Sequence, residues 1–408
     1  MSYIAPPTPF APPTPFAHPP VARRAGSSGA GCALGGAISL LAFSGGVAFL
    51  AMRHVSSSSS SSSSGGTTGG SWTGVEWEGT HSAILTDVNG DGVPDLVGRV
   101  RYLTDKDSVT IGGFDGTNGK KLWESDSLGT YMQTYQGALG LAEDTLLFET
   151  ESGQVTALGV RDGKKRWSSS LPERAAGFCK SDAGQVAVRL ADKTFAVVQL
   201  ANGQPGTGAK PAPLKPPASP PGAPRTLDEM FARTRPVGDD CSPLQDDSKA
   251  DPIGGMLDVM GEVTIEGMNP MSMVQRPGGP MIVLGTRQTG TPVPMIAAVF
   301  PDASRNWKSD MAAMNPLQTG PFPPTVAAVT SDRAFSAYPW TDINKPPNLV
   351  AFDLSGHRLW DVALPDDSPL TSVQATESKV FVTQWGRLQV YDAATGKPLF
   401  AIGVGFGK

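Results

Sequence analysis

Cysteine and histidine, the residues that most often bind zinc, are scarce in this chain of 408 residues. Only 3 cysteines are present, Cys32, Cys179 and Cys241, and they lie far apart in the sequence. The 4 histidines are equally scattered: His18, His54, His81 and His357. The sequence therefore lacks the closely spaced ligand pairs of a zinc site.

Acidic residues are absent before Ser64, although the chain has 38 of them. Three arginines also precede Ser64, which leaves 30 basic and 38 acidic residues after it, a net charge of −8. Nucleic-acid binding requires clustered Lys and Arg, so this balance argues against a nucleic-acid partner. Motifs of nucleophilic and phosphate chemistry are missing as well. There is no GxSxG, and the Gly-Lys pairs lack the Ser or Thr that completes a P-loop.

The N-terminus lacks the composition of a folded domain. Residues 1–31 are rich in proline and contain APPTPF twice in tandem, which predicts a disordered tail serving as a docking peptide or a plain spacer. Residues 32–53 include Cys32–Met52, a run without charge that is long enough to span a bilayer. We expect an uncleaved transmembrane helix there, with a cleaved signal peptide as the alternative.

Residues 54–71 hold nine consecutive serines and several glycines, the composition of a flexible tether. Arg23 and Arg24 precede the apolar run and only Arg53 follows it, so the positive-inside rule favours a cytoplasmic N-terminus. We therefore expect a single-pass membrane protein. Residues 72–408 would then lie outside the cytoplasm, in a periplasm or at a cell surface.

A strand–turn–strand unit recurs through residues 72–408. In Ala351–Leu364, apolar residues alternate on two arms, Gly356 lies in the turn and Trp360 follows four positions later. Tight hairpin turns favour glycine because it readily adopts a positive φ. The turn positions 119, 163, 203, 303, 356 and 396 are separated by 44, 40, 100, 53 and 40 residues. A period near 40 in β-rich sequence is typical of the blades of a propeller.

The aromatic position of the unit is filled in five of six copies, and the third copy has Thr207 instead. The five aromatic residues are Trp123, Trp167, Trp307, Trp360 and Phe400. We expect them to pack between neighbouring blades, because an aromatic side chain buries a large apolar area. The longest gap contains a Pro-rich insertion at about 206–256.

These patterns predict an all-β fold, a single propeller of six to eight four-stranded blades. Six units are visible in the sequence. Seven or eight blades would require further strands from Val75–Trp77 and Glu262–Ile265.

The repeat resembles the PQQ-like β-propeller repeat, in which a hydrophobic strand and an Asp precede a TGK-type turn and an outer-strand aromatic. The motifs Tyr391-Asp392 with Thr395-Gly396-Lys397, and Phe352-Asp353 with Trp360, carry the resemblance. It implies blades like those of outer-membrane assembly lipoproteins and of quinone-dependent dehydrogenases, which have different functions on one fold. The chain lacks the adjacent cysteines of the methanol-dehydrogenase type, so PQQ is not expected as a cofactor.

One segment predicts a metal site. In DVNGDGVPD, Asp87, Asn89, Asp91 and Asp95 occupy positions 1, 3, 5 and 9, and Val93 offers its carbonyl. Ca²⁺ prefers six to eight such hard oxygens. The segment resembles the calcium loop of FG-GAP propeller blades and predicts a structural Ca²⁺. The alternative is a metal-free turn in which the Asp and Asn side chains cap the backbone.

Two cysteines predict a covalent link. Cys179 and Cys241 would both lie outside the cytoplasm, where a disulfide between them would hold the insertion against the third blade. A buried free thiol at Cys179 is the alternative. Taken together, we expect a non-catalytic propeller that binds a protein partner or an envelope ligand. A PQQ-dependent dehydrogenase and a calcium-dependent adhesion module are the alternatives.

Overall fold

A computed structural model describes most of the predicted propeller. The described residues are 74–78, 82–103, 108–130, 138–150, 154–192, 194–207, 265–275, 279–289, 293–311, 326–338, 346–365 and 368–404. The predicted tail, apolar segment and tether (1–31, 32–53 and 54–71) and most of the insertion lie outside them. No helix among these ranges is long and apolar enough to cross a membrane.

The described residues form six antiparallel sheets, numbered here in chain order. Sheet 1 contains β1 (Val75–Trp77), β2 (Ile84–Thr86), β3 (Asp95–Tyr102), β4 (Ser108–Phe114), β5 (Lys121–Glu124) and β6 (Gly129–Thr130). Sheet 2 contains β7 (Leu139–Ala142), β8 (Thr145–Thr150), β9 (Gln154–Gly159) and β10 (Lys165–Ser170). Sheet 3 contains β11 (Ala175–Lys180), β12 (Gln185–Leu190) and β13 (Phe195–Gln199).

The remaining three sheets have four strands each. Sheet 4 contains β14 (Met268–Gln275), β15 (Met281–Arg287), β16 (Pro294–Val299) and β17 (Trp307–Asp310), with the 3₁₀ turn η1 (Ala303–Arg305) before β17. Sheet 5 contains β18 (Val326–Val329), β19 (Arg333–Tyr338), β20 (Asn348–Asp353) and β21 (Arg358–Ala363). Sheet 6 contains β22 (Leu370–Ala375), β23 (Lys379–Gln384), β24 (Arg387–Asp392) and β25 (Pro398–Ile402).

Within each sheet the strands pair in sequence order, as hairpin-connected blades require. Sheet 1 differs because β1 and β2 both pair with β3, β1 near Val100–Tyr102 and β2 near Asp95–Val97. The segment Val75–Trp77 therefore joins the first sheet and does not begin a further one. The all-β prediction is confirmed for the described residues.

Neighbouring sheets are joined by a contact between an aromatic side chain and a glycine. The outer-strand aromatic of one sheet lies over the turn glycine of the next, so closely that a Cβ atom on that glycine would collide with the ring. The pairs are Trp123 on Gly163, Trp167 on Gly203, Trp307 on Gly356, Trp360 on Gly396 and Phe400 on Gly119. Trp123, Trp167 and Phe400 are buried, and Trp307 and Trp360 are partly buried. A fully buried ring removes about 150–250 Å² from water, which stabilises such a joint by about 4 kcal/mol or more.

At three of these joints the indole N–H group also donates a hydrogen bond to the next sheet. Trp167 donates to the Leu200 carbonyl at 2.7 Å, Trp307 to Leu354 at 3.0 Å and Trp360 to Ala393 at 3.1 Å. Each acceptor lies just before the turn glycine of the next sheet. The expected packing of the aromatics between blades is thereby confirmed for the described sheets.

Sheets 6 and 1 close the series. Phe400 of the last sheet lies on Gly119 of the first, and the Trp77 and Gly386 backbones exchange hydrogen bonds of 3.0 and 3.1 Å. The Val404 N–H also donates to the Val75 carbonyl at 3.1 Å. The last sheet therefore docks on the first in the same way as other neighbours do, which is the arrangement of blades in a β-propeller.

A pair of glycine substitutions separates the two roles of glycine in the turns. Gly163 and Gly184 have similar φ values, 66° and 72°, but Trp123 covers Gly163, whereas nothing lies within 4 Å of a Cβ at Gly184. We expect Gly184→Ala to lower the free energy of unfolding by about 1–2 kcal/mol, the cost of a positive φ. Gly163→Ala adds a steric clash and should cost about 1–3 kcal/mol more. Urea denaturation of both variants measures this, and equal losses would contradict the docking role.

Candidate functional site

The predicted calcium segment forms the connection between β2 and β3, and its first aspartate caps that connection. Asp87 Oδ1 accepts hydrogen bonds from the backbone N–H groups of Gly90 at 2.7 Å and Asp91 at 3.1 Å. Asp87 Oδ2 accepts another from Gly92 at 3.0 Å. A tight turn leaves these donors without backbone partners, so the carboxylate stabilises the loop by accepting them.

Asn89 and Asp91 continue the same pattern. Asn89 Oδ1 accepts from the Asp91 N–H at 2.9 Å, and Asp91 Oδ1 accepts from the Val93 N–H at 2.7 Å. The Asn89 amide also donates to Asp91 Oδ2 at 3.1 Å. The polar side chains thus hold the loop by local bonds of the Asx-turn type, which is the arrangement expected of the metal-free alternative.

Asp95, the first residue of β3, connects the loop to the rest of sheet 1. Its side chain is fully buried; Oδ2 accepts from the N–H groups of Val88 at 2.9 Å and Asn89 at 3.2 Å, while Oδ1 accepts from Gly116 at 2.7 Å. Burial raises the pKa of Asp95 above its ordinary value, against the opposing effect of these three donors.

A lysine from the last sheet lies beside this acidic loop. Lys379 Nζ donates to the Gly116 carbonyl at 2.7 Å, and its charge interacts with those of Asp91, Asp95 and Asp115. Burial lowers the pKa of Lys379, while the three carboxylates oppose that change. The ammonium group therefore both balances part of the loop's negative charge and fastens sheet 6 to sheet 1.

The loop oxygens have the chemistry that Ca²⁺ prefers, but their arrangement already satisfies the loop's own N–H donors. Within the residues that the structure describes, no three His, Cys, Asp or Glu side chains are grouped so that they would hold a metal ion. Calcium binding by Asp87, Asn89, Asp91, Val93 and Asp95 remains a prediction from the sequence.

A second charged cluster, which the sequence analysis missed, lies between the first three sheets. Arg99 of β3 and Glu78, just after β1, form an ion pair at 3.4 Å, and each side chain is only 1% exposed. Arg99 Nη2 also donates to the Ala138 carbonyl of the second sheet's chain segment at 3.1 Å. One guanidinium group thus connects sheets 1 and 2.

Glu149 of β8 extends this cluster to sheet 3. Its Oε1 accepts from the Ala175 N–H at 2.8 Å and lies 3.5 Å from Arg174 Nε. Burial raises the pKa of Glu149, against the charges of Arg174 and Arg99. The charges alternate as Glu78, Arg99, Glu149 and Arg174, and two carboxylates face two guanidinium groups. Such a balanced cluster fastens neighbouring sheets together.

Exposed leucines lie on the outer strands of sheets 5, 6 and 1, which adjoin one another. Leu122, Leu359 and Leu399 each directly precede the docking aromatic and are 38%, 45% and 36% exposed. The same position holds the exposed Arg166 in sheet 2 and Asn306 in sheet 4. Among these five described sheets, a leucine before the aromatic residue is therefore found in sheets 5, 6 and 1. The packing of the aromatic side chain does not require a leucine at this position.

Cys179 lies in β11, as the strand-like sequence predicted, and is almost completely buried. It takes part in a disulfide bond. Cys32 and Cys241, the other two cysteines, both lie outside the described residues, so the pairing of Cys179 with Cys241 remains a prediction.

Comparison with known proteins supports the repeat assignment. Residues 69–205 match the PQQ_2 family model, described as "Outer membrane protein assembly factor BamB". No curated protein matches the chain. Together with the docking of sheet 6 on sheet 1, this match supports a β-propeller with PQQ-like repeats.

Solved structures resemble the chain at low identity. BamB from Moraxella catarrhalis is 12% identical, with 78% of this chain and 95% of that chain covered and a TM-score of 0.32. The β-propeller domain of Myceliophteria thermophila Cps50 (Swd1) is 10% identical, with coverages of 79% and 99% and a TM-score of 0.38. The designed protein Ika8 is 12% identical, with coverages of 78% and 98% and a TM-score of 0.28.

The calcium prediction is tested by titrating the intact protein with Ca²⁺ in a calorimeter. If the loop binds the ion, wild type should show a saturable heat with a Kd of about 10⁻⁴–10⁻³ M and a higher melting temperature in Ca²⁺ than in EDTA. Asp91→Ala should lose both effects, and Asp126→Ala, at an exposed site outside the loop, should keep them. Wild-type heats and melting that do not respond to Ca²⁺ would refute the prediction.

The buried ion pair is tested by a double-mutant cycle. Arg99→Met removes the positive charge facing a carboxylate that is 1% exposed, and should lower the free energy of unfolding by about 3–5 kcal/mol. Arg99→Met combined with Glu78→Leu should recover most of that loss, because no uncompensated carboxylate remains buried. Chemical denaturation measures both values. A double variant as unstable as the single one would show that the pair is not the source of the effect.

Proposed function

We propose that this protein is a membrane-anchored, non-catalytic propeller that binds a protein partner outside the cytoplasm. The observation that carries the proposal is the match of residues 69–205 to the model of an outer-membrane assembly factor. An assembly factor binds other proteins. Sheets with exposed outer strands offer a surface for such binding. The sequence also allowed a second version of this proposal, in which the propeller binds an envelope ligand that is not a protein.

The state of Cys179 supports the location. A disulfide persists in oxidising compartments such as the periplasm or the cell surface and is rare in the cytoplasm. The bonded Cys179 thus agrees with an extracytoplasmic propeller, as the apolar run Cys32–Met52 also predicts. The remaining part of the proposal is that this run is an uncleaved anchor; extraction of the protein by detergent but not by alkaline carbonate would support it.

The outer-strand leucines are the contact surface that we assign to the partner. Leu122, Leu359 and Leu399 recur at one position in adjoining sheets, so a partner lying along the outer edge would meet them in succession. Burying one leucine contributes about 1.5–3 kcal/mol, which is worth a factor of ten or more in affinity. The contact is apolar, so high salt should weaken it little.

A quinone-dependent dehydrogenase is the alternative that shares this blade. Among the buried charged side chains, Glu78 forms an ion pair with Arg99, and Glu149 lies beside Arg174. Dye-linked alcohol oxidation after reconstitution with PQQ would favour this alternative over binding alone. A calcium-dependent adhesion module is the third reading, and it depends on the loop Asp87–Asp95 binding Ca²⁺.

Photo-cross-linking in the native membrane tests the proposal. A photoreactive residue at position 359 should give one discrete adduct, and the same protein should be captured from positions 122 and 399. Leu359→Arg should reduce capture from position 399 about tenfold or more without changing the melting temperature, because Leu359 is exposed. Position 306, the equivalent site in sheet 4, serves as the control and should give no adduct. Absence of adducts at all three leucines, or equal capture at position 306, would contradict the proposed surface.

A further inference from the structure

Three buried polar groups between sheets 6 and 1 have no hydrogen-bond partner among the described residues. Ser372 of β22 and Thr383 of β23 are 2% and 0% exposed, and neither side-chain hydroxyl is bonded. Trp77 is 1% exposed, and its indole Nε1 is also without an acceptor. Because buried polar groups in proteins almost always have a partner, three orphaned groups at one joint need an explanation.

The strand register places both hydroxyl groups on the side of sheet 6 that faces sheet 1. Ser372 and Thr383 are directly opposite each other across β22 and β23, a pairing that brings two Cβ atoms to about 5 Å. Alternate residues of a strand lie on the same side. Phe381, two positions before Thr383, and Leu388, its partner across β23 and β24, both belong to the apolar cluster that sheets 6 and 1 share. The two hydroxyl groups therefore face sheet 1.

Trp77 enters the same joint from sheet 1. It belongs to the same shared cluster, and its ring lies over Gly98, where a Cβ atom would collide with it. Its backbone exchanges hydrogen bonds of 3.0 and 3.1 Å with Gly386, which follows Thr383 by three positions. One indole N–H donor and two hydroxyl groups are thus brought to the same part of the joint.

Thr383 occupies a position that is equivalent to those of two buried charged residues in other sheets. The register is fixed in each sheet by the residue of the second strand that aligns, through the third strand, with the docking aromatic. This residue is Phe381 in sheet 6, Val97 in sheet 1 and Leu147 in sheet 2. Thr383, Arg99 and Glu149 each come two residues later and therefore correspond to one another.

At this position, both charged side chains bond directly to the beginning of the next sheet. Arg99 donates to the Ala138 carbonyl, just before β7, at 3.1 Å, and Glu149 accepts from the Ala175 N–H of β11 at 2.8 Å. A threonine side chain is shorter than either of these. In the described ranges, the Thr383 hydroxyl makes no corresponding bond to sheet 1. The shorter side chain leaves a gap in a hydrogen-bonding position that the other two joints fill.

We propose that ordered water is bound between sheets 6 and 1, where Trp77 Nε1, Ser372 Oγ and Thr383 Oγ1 hydrogen-bond to it. A buried water molecule commonly makes about three hydrogen bonds to polar groups that would otherwise be orphaned. The indole supplies a donor, and each hydroxyl group can donate or accept. Water then connects sheet 6 to sheet 1 as the direct bonds of Arg99 and Glu149 connect the other sheets. This site is independent of the proposed function, because it concerns the docking of two sheets and not the surface for a partner.

Water-detected NMR on the intact protein with isotope-labelled tryptophan tests the site. The indole proton of Trp77, assigned with a Trp77→Phe variant, should show cross-relaxation with a water molecule of long residence time. The indole proton of Trp167 is the control and should show none, because it is donated to the Leu200 carbonyl at 2.7 Å. The absence of a water signal at Trp77 would overturn the proposal.

The sign of a stability change separates a hydrated joint from a dry one. Thr383→Val keeps the branched shape and removes the hydroxyl group. If water is bound, the variant loses one of the water's hydrogen bonds, and the melting temperature should fall by about 2–4 °C. In a dry joint, the same change removes an orphaned hydroxyl group from an apolar interior and should raise the melting temperature. Ser372→Ala should change the melting temperature in the same direction as Thr383→Val. An unchanged or higher melting temperature for Thr383→Val would overturn the proposal.

Discussion

The aromatic ring on the glycine of the neighbouring turn is the contact on which this propeller depends. Hydrogen bonds hold each sheet together, and those of the indole N–H groups supplement the connection of one sheet to the next. That connection comes from apolar packing, and the outer part of it is fixed by a bulky ring lying where a Cβ would otherwise be. Because the ring and the glycine belong to successive repeats, each of the five contacts joins one sheet to the next; the contact is missing between sheets 3 and 4.

This arrangement explains why the fold could be predicted from the sequence. The ring and the glycine recur at a fixed spacing, so the repeat was visible even at the weak third and fourth copies. The second reason for a glycine in these turns is the close contact with the aromatic ring of the preceding sheet, and the sequence did not reveal it. The turn at Gly356 was predicted to need a positive φ, which it has, but the contact with Trp307 of the preceding sheet joins residues 49 positions apart, and no local pattern reports it.

The buried charges were missed for a related reason. Arg99 and Glu149 adjoin apolar residues in their strands, and their partners come from other segments of the chain. A sequence shows that a charged residue interrupts an apolar run, but not which charge compensates it. The loop Asp87–Asp95 illustrates the opposite case, since its spacing suggested a ligand set while the structure shows each side chain accepting the loop's own N–H groups. The same oxygens fit both chemistries, and spacing alone does not choose between them.

The closure of the ring has a consequence for biosynthesis. The first sheet is finished only when Trp77 pairs with Gly386 and Gly119 receives Phe400, and both partners belong to sheet 6, which is synthesised after sheets 1 to 5. Sheets 1 to 5 can form as the chain emerges, yet they remain an open row with one apolar face uncovered at each end. A nascent chain, or one truncated before sheet 6, would therefore expose apolar faces to chaperones, proteases and other copies until sheet 6 has been synthesised.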